Sequence, residues 1–175
     1  MMPPGLSIRR ATAADAEALA AFGRRVFDDW YRPDNTAEDM ELHLAETYGP
    51  DLQRAELAAA DVTVLLVTAG AEICAYAFLQ RGLTVAAVDG PDPWAVVRFY
   101  VDRPWHGRGV ALALMAATVD AARAGGARTL WLTAWEQNPR ARAFYAKAGF
   151  RDVGTDTFVL GHSPQVDRVL VRALD

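Results

Sequence analysis

Apolar positions along this chain follow two periods, and each predicts a type of element. LSIRR, residues 6–10, reads as a short strand. Thr12 with Asp15 three positions on makes an approximate capping box, and Leu19, Phe22, Val26 and Phe27 then recur at helical spacing. That helix ends near DDWYRP, because Pro33 disfavours helical backbone in the residue before it. Thr36 and Asp39 repeat the capping pattern ahead of MELHLAETY, a second helix, and a short third covers 51–59.

From Val62 the period shortens. VTVLLVT and ICAYAFLQ flank the turn AGAE and predict a hairpin. A loop rich in Gly, Pro and Asp, residues 89–93, leads into the strand WAVVRFYV at 94–101. A helix then runs to about Arg123, where Gly125 and Gly126 stop it. TLWLTAW at 129–135 is a strand, 138–149 is a helix with Pro139 in its first turn, and 150–160 and 166–174 are two closing strands. Strands mixed with helices over 175 residues, 52% of them apolar, predict a single α/β domain with an ample core.

No apolar run reaches membrane-spanning length, and residues 1–6 lack the regions of a signal peptide, so a soluble cytoplasmic protein without membrane contact is expected. Cys74, the only cysteine, lies in an apolar run and is expected to be buried. The net charge of −4 argues against a nucleic-acid partner. Its distribution is uneven: 28–56 is rich in Asp and Glu, while 98–147 is rich in Arg. This asymmetry would suit an anionic cofactor on one side and a cationic substrate on the other, although solvated helix faces explain such charges equally well.

Candidate chemistry begins at HGRGVALALM, residues 106–115, where two glycines precede a helix. The first turn of a helix has unpaired N–H groups and the positive end of the macrodipole, and Gly107 and Gly109 remove side chains that would hold an anion away. The stretch lacks the Lys-Ser/Thr ending of a P-loop and the third glycine of a dinucleotide fingerprint. Alone, it is as consistent with a plain turn as with an anion site.

Joined to a second stretch downstream, RPWHGRGVALALM…WEQNPRARAFYAKAGF resembles the cofactor core of the GNAT superfamily of acyl-CoA-dependent N-acyltransferases. The phosphate loop, Gln/Arg-x-x-Gly-x-Gly/Ala, falls on 106–111, with His106 as the departure; the second signature falls on Asn138, Tyr145, Gly149 and Phe150. The resemblance implies a mixed, mostly antiparallel sheet of about six or seven strands flanked by about four helices, splayed between 94–101 and 129–135. It implies acetyl-CoA as co-substrate and no metal. By resemblance, backbone groups of Phe99, Tyr100 and Val101 hold the pantetheine arm, and amides of Gly107, Arg108, Gly109, Val110, Ala111 and Leu112 hold the pyrophosphate. Asn138 bonds the cofactor arm, and Tyr145 is the general acid for the departing thiolate. For Asn138 an N-cap, and for Tyr145 a buried phenol, are the plainer readings.

The amine must be neutral to attack a thioester. An amine of pKa about 10.4 lies about 3.4 units above pH 7, which adds about 4.6 kcal/mol to the barrier unless the site removes the proton. Relatives carry a Glu at the positions of Val97 or Thr133. Glu136 is the candidate base, with Asp28, Asp29 and a chain of waters as open alternatives. Asp28, Asp29, Trp30, Tyr31 and Trp135 are candidate substrate contacts, with Trp94 a further aromatic that could wall an amine pocket. FDDWY…NTAEDM, WEQN and TFVLGHSPQVDRVLVRAL are similar to PaiA-type bacterial polyamine acetyltransferases, which implies a small amine, a polyamine among them, as acceptor. A protein or peptide amine, an amino-bearing antibiotic, and a non-catalytic acyl-CoA-binding module are the alternatives. The closing strands offer an edge for a homodimer.

Overall fold

The computed structural model describes residues 2–174. Seven strands form one sheet in the order β1-β2-β3-β4-β5-β7-β6. They are β1 (Leu6–Arg10), β2 (Val62–Ala69), β3 (Glu72–Arg81), β4 (Pro93–Val101), β5 (Thr129–Trp135), β6 (Arg151–Leu160) and β7 (Ser163–Ala173). The helices are α1 (Ala16–Tyr31), α2 (Ala37–Thr47), α3 (Pro50–Ala58), α4 (Val110–Ala124) and α5 (Pro139–Lys147). All neighbouring strands are antiparallel except β4 and β5, which are parallel. This is the expected α/β fold, with five α-helices where about four were expected.

Both faces of the sheet are covered at β2 and β3, which explains their near-continuous apolar runs. Val67, Ala75, Ala77 and Leu79 face α4 through Leu114, Met115 and Val119. Leu66, Tyr76 and Phe78 face α1 through Leu19, Phe22 and Val26. Cys74 is buried in the first of these layers, as expected. Trp94 also belongs to that layer, and a side chain at Gly125 would collide with its ring. It is therefore core rather than wall of an amine pocket.

The start of α1 differs from expectation by one turn. Thr12 N donates to the Asp15 carboxylate at 2.8 Å, but residues Ala13–Asp15 form a tighter 3₁₀ turn and α1 starts at Ala16. α2 begins at Ala37 with Thr36 as its N-cap, as the Thr36/Asp39 pattern predicts, the Thr36 hydroxyl accepting from Asp39 N at 3.2 Å. β7 begins three residues early at Ser163, pairing through the tight turn at Gly161 with β6.

Candidate active site

β4 and β5 pair only over Pro93–Ala95 with Thr129–Trp131, then separate. Beyond Ala95 the β5-facing edge of β4 has no strand partner, so its backbone groups face the gap. On the other side, β3 pairs Phe78 with Arg98 and Leu79 with Val96, so Val97 is the extra residue of a bulge. The bulge turns Val97 outward to 42% exposure, on the wall of a cleft of about 650 Å³ between the separated strands.

At one end of the cleft lies the glycine loop. Gly107 and Gly109 have φ of +72° and +80°, backbone that other residues rarely adopt. A Cβ on Gly107 would meet nothing within 4 Å, so conformation, not packing, calls for glycine there. Gly109 is the N-cap of α4, and Gly107, Gly109, Ala111 and Leu112 line the cleft; Leu112 is an exposed apolar side chain at 63%. Arg108 and Val110 do not line it. Arg108 stacks over Trp105 at 5.6 Å, and the side chain of Val110, the first residue of α4, is fully buried, which leaves only their amides to serve an anion. Two left-handed glycines, with open space at Gly107, ahead of a helix N-terminus fit a pyrophosphate.

The far wall of the cleft is α5. Asn138 is its N-cap, with Oδ1 accepting from Ala141 N at 3.0 Å. Among the described residues Asn138 Nδ2 has no protein hydrogen bond, so the capping role leaves a donor to spare. Tyr145 is 8% exposed and held among Phe99, Phe144 and Phe150, with ring centroids 6.2, 5.3 and 5.9 Å away. Its hydroxyl has no hydrogen-bond partner among the described residues and lies on the cleft. Burial holds the phenol protonated well above the ordinary tyrosine range, and the Tyr31 hydroxyl nearby adds to that shift.

The end of α1 is clamped onto this frame. Arg25 forms two hydrogen bonds to Asp102, at 3.2 and 2.7 Å; Arg103 donates to the Asp29 carbonyl at 2.8 Å; and Trp30 stacks on His106 at 5.3 Å. Trp30 and Tyr31 line the cleft, with Trp135 opposite; Tyr31 and Trp135 meet edge to face at 6.4 Å.

The carboxylates expected from sequence lie elsewhere. Asp28 accepts from Arg32 Nε at 2.7 Å and Asp29 pairs with Arg25 at 3.5 Å, neither on the cleft wall. Glu136 is exposed beyond the end of β5, where its N–H still bonds Val166 O at 3.1 Å but its side chain is not among the cleft's lining. The acidic 28–56 segment is largely spent within the protein. Glu41 pairs with Arg24 and Arg32, Glu56 with Arg98, and Asp39 accepts from His162 N.

Two carboxylates that the sequence motifs do not single out line the cleft instead, Asp34 and Asp167. Asp167 is 8% exposed, on β7 directly across from Trp135. Burial raises its carboxyl above the usual range. The signal for it is in the strand's alternation. Asp167 shares parity with Val169 and Val171, both buried, so an acid occupies an inward-facing position. Among the described residues no group of three or more His, Cys, Asp or Glu side chains could hold a metal ion, and no helix is long and apolar enough to cross a membrane.

These features agree with comparisons to known proteins. The sequence profile of the acetyltransferase (GNAT) family matches residues 24–150. An uncharacterised N-acetyltransferase of Mycobacterium tuberculosis is 35% identical over 168 residues, covering 91% of this chain and 98% of the relative. One from Lactobacillus delbrueckii subsp. lactis is 28% identical over 170 residues, covering 97% and 98%. Among solved structures, PaiA N-acetyltransferase of Thermoplasma acidophilum in complex with coenzyme A superposes with a TM-score of 0.78 at 19% identity, covering 96% of this chain and 98% of that one. Arabidopsis thaliana NAA60 in complex with acetyl-CoA gives 0.73 at 14% identity, covering 97% and 98%. With its splayed strands, glycine loop and cleft-facing tyrosine, the chain belongs to the GNAT family and is an acetyl-CoA-dependent N-acetyltransferase.

Proposed function

We propose that the protein transfers the acetyl group of acetyl-CoA to a small primary amine by direct attack, with both substrates held in the one cleft. The observation that supports this is the continuity of that cleft. It joins the glycine loop, the unpartnered Tyr145 hydroxyl and an aromatic end built from Tyr31 and Trp135. Amides from Gly107 to Leu112 hold the pyrophosphate, and the unpaired edge of β4 at Phe99, Tyr100 and Val101 receives the pantetheine arm as an added strand would. Asn138 Nδ2 donates to the same arm. Tyr145, neutral because it is buried, protonates the sulfur as the C–S bond breaks. An aromatic end within a cleft, with a carboxylate on its wall, favours a small amine, a polyamine among them, over a folded protein surface.

A panel of acceptors tests this: a short aliphatic monoamine, a triamine of the spermidine type and a peptide with a free α-amine, each with acetyl-CoA and a thiol-release readout. The small amines are expected to stimulate thiol release more than the peptide. Calorimetric CoA binding with no stimulation by any amine would leave a binding module and overturn the reading.

A further inference from the structure

The cleft contains a charge that the fold does not neutralise. Asp167 is a buried carboxylate for which the described residues provide no ion pair. Its neighbour Arg168 extends to the other face of β7, where it makes two bonds to Asp152 at 2.9 and 2.7 Å. The residue facing Asp167 from β6 is another acid, Asp156, which raises its charge cost further. From β5 it faces Trp135, with Thr133 two residues away on the same face of the strand. From α1 it faces Tyr31, whose hydroxyl is pushed up to about 12 by burial first and then by the charge of Asp167. Asp34, after α1, Arg98 and Tyr100 of β4 and Tyr145 of α5 are further charged or titratable groups of the lining, with Arg98 already paired to Glu56.

A buried, unpaired carboxylate is costly to a fold, and a ligand cation offsets that cost. The two aromatic rings beside it supply the other half of an ammonium site, since their faces attract a cation that a carboxylate anchors. Asp167 is also beside Thr133, so β7 brings a carboxylate next to the place where β5 has none. Tyr31, Tyr145 and Asp167 all line the same cleft, so the acid and the carboxylate open onto one space.

We infer that Asp167 binds the ammonium group of the acceptor beside Tyr31 and Trp135 and takes its proton, which makes the acceptor a small aliphatic amine that arrives charged. The inference rests on the proposed acetyl transfer. The nitrogen loses two protons on becoming an amide. The first passes to the Asp167 carboxylate and then to solvent, which frees the lone pair. The freed nitrogen forms the C–N bond, the C–S bond breaks, and Tyr145 gives its proton to sulfur. The second nitrogen proton restores the Tyr145 phenol, so the net products are amide, thiol and one released proton.

Asp167→Asn and Asp167→Glu test it through the pH profile of kcat/KM for a responsive amine, with CoA affinity measured alongside. Asp167→Asn is expected to lower kcat/KM by about 100-fold and to remove the acidic limb, while CoA binding stays within about twofold. Asp167→Glu is expected to restore a substantial part of the rate and the limb. Wild-type kcat/KM and an unchanged limb in Asp167→Asn would overturn the inference while leaving acetyl transfer intact. A second measurement does not depend on variants or turnover. CoA-loaded wild-type protein is titrated with an alkyltrimethylammonium ion and with its neutral carbon isostere. The cation is expected to bind at least about tenfold tighter, and equal affinities would overturn the site. Failure of the acetyl-transfer reading differs from both outcomes, since wild-type protein would then release no thiol with any amine.

Discussion

His106 donates from Nε2 to the carbonyl oxygen of Val101 at 2.7 Å, across the turn that separates β4 from the glycine loop. A carbonyl only accepts, so the proton is on Nε2 and Nδ1 is left to accept from Arg140 Nη2 at 3.1 Å. The ring is also stacked on Trp30 at 5.3 Å. The histidine that departs from the family's loop pattern thus ties β4, α1 and α5 to one side of the loop.

His106→Ala should free this tie. Loss of one such hydrogen bond is worth about 1 kcal/mol, so CoA affinity is expected to fall about fivefold by calorimetry. His106→Gln, whose amide can also donate to Val101, should lose less. An alanine variant with unchanged affinity would show that the tie does not hold the loop.

Gly109→Val places a β-branched residue at a φ of +80° on the N-cap of α4. The backbone strain should lower stability by about 1–2 kcal/mol in denaturant melts, and the added side chain should weaken CoA binding at least about tenfold. Unaltered CoA affinity would remove the loop from the pyrophosphate site.

Tyr145→Phe should lower kcat about 100-fold while leaving CoA affinity within about twofold, because the ring packing stays and only the proton donor goes. The sign of the pH effect follows from burial, which favours the neutral phenol. Tyr145 therefore stays protonated as pH rises through the ordinary tyrosine value near about 10, and kcat should show no alkaline loss from it below that pH. An alkaline limb near pH 8 that disappears in Tyr145→Phe would contradict this.

Arg98 sits next to the β4 bulge with its guanidinium bonded twice to Glu56, at 2.9 and 2.8 Å, and stacked over Tyr48 and Phe78 at 5.4 and 4.9 Å. Both side chains are largely buried, so Glu56→Gln leaves the cation underpaired and should cost about 3 kcal/mol of unfolding free energy. A melt shifted by less than about 0.5 kcal/mol would show that solvent replaces the partner.

The proposed cofactor half of the cleft is more legible in the sequence than the proposed acceptor half, for a physical reason. Gly107, Gly109, Asn138 and Tyr145 are placed by local geometry, a left-handed turn, a cap and a helix face, and local geometry leaves fixed spacings in the chain. The proposed acceptor end is assembled from α1, β5 and β7, and its register is set by long-range pairing such as Trp135 with Asp167. Asp28, Asp29 and Glu136 are the visible acids nearest the motifs, and the folded chain turns them to arginines or solvent. Asp167 could be found only by noticing an acid at an inward position of a strand.

The most direct test of the proposed chemistry is the location of the sulfur in a crystal structure of the CoA complex. The pyrophosphate is predicted on the amides of 107–112 and the sulfur within hydrogen-bonding distance of the Tyr145 hydroxyl. A pyrophosphate on that loop with the sulfur remote from Tyr145, or a CoA bound outside the cleft, would contradict it.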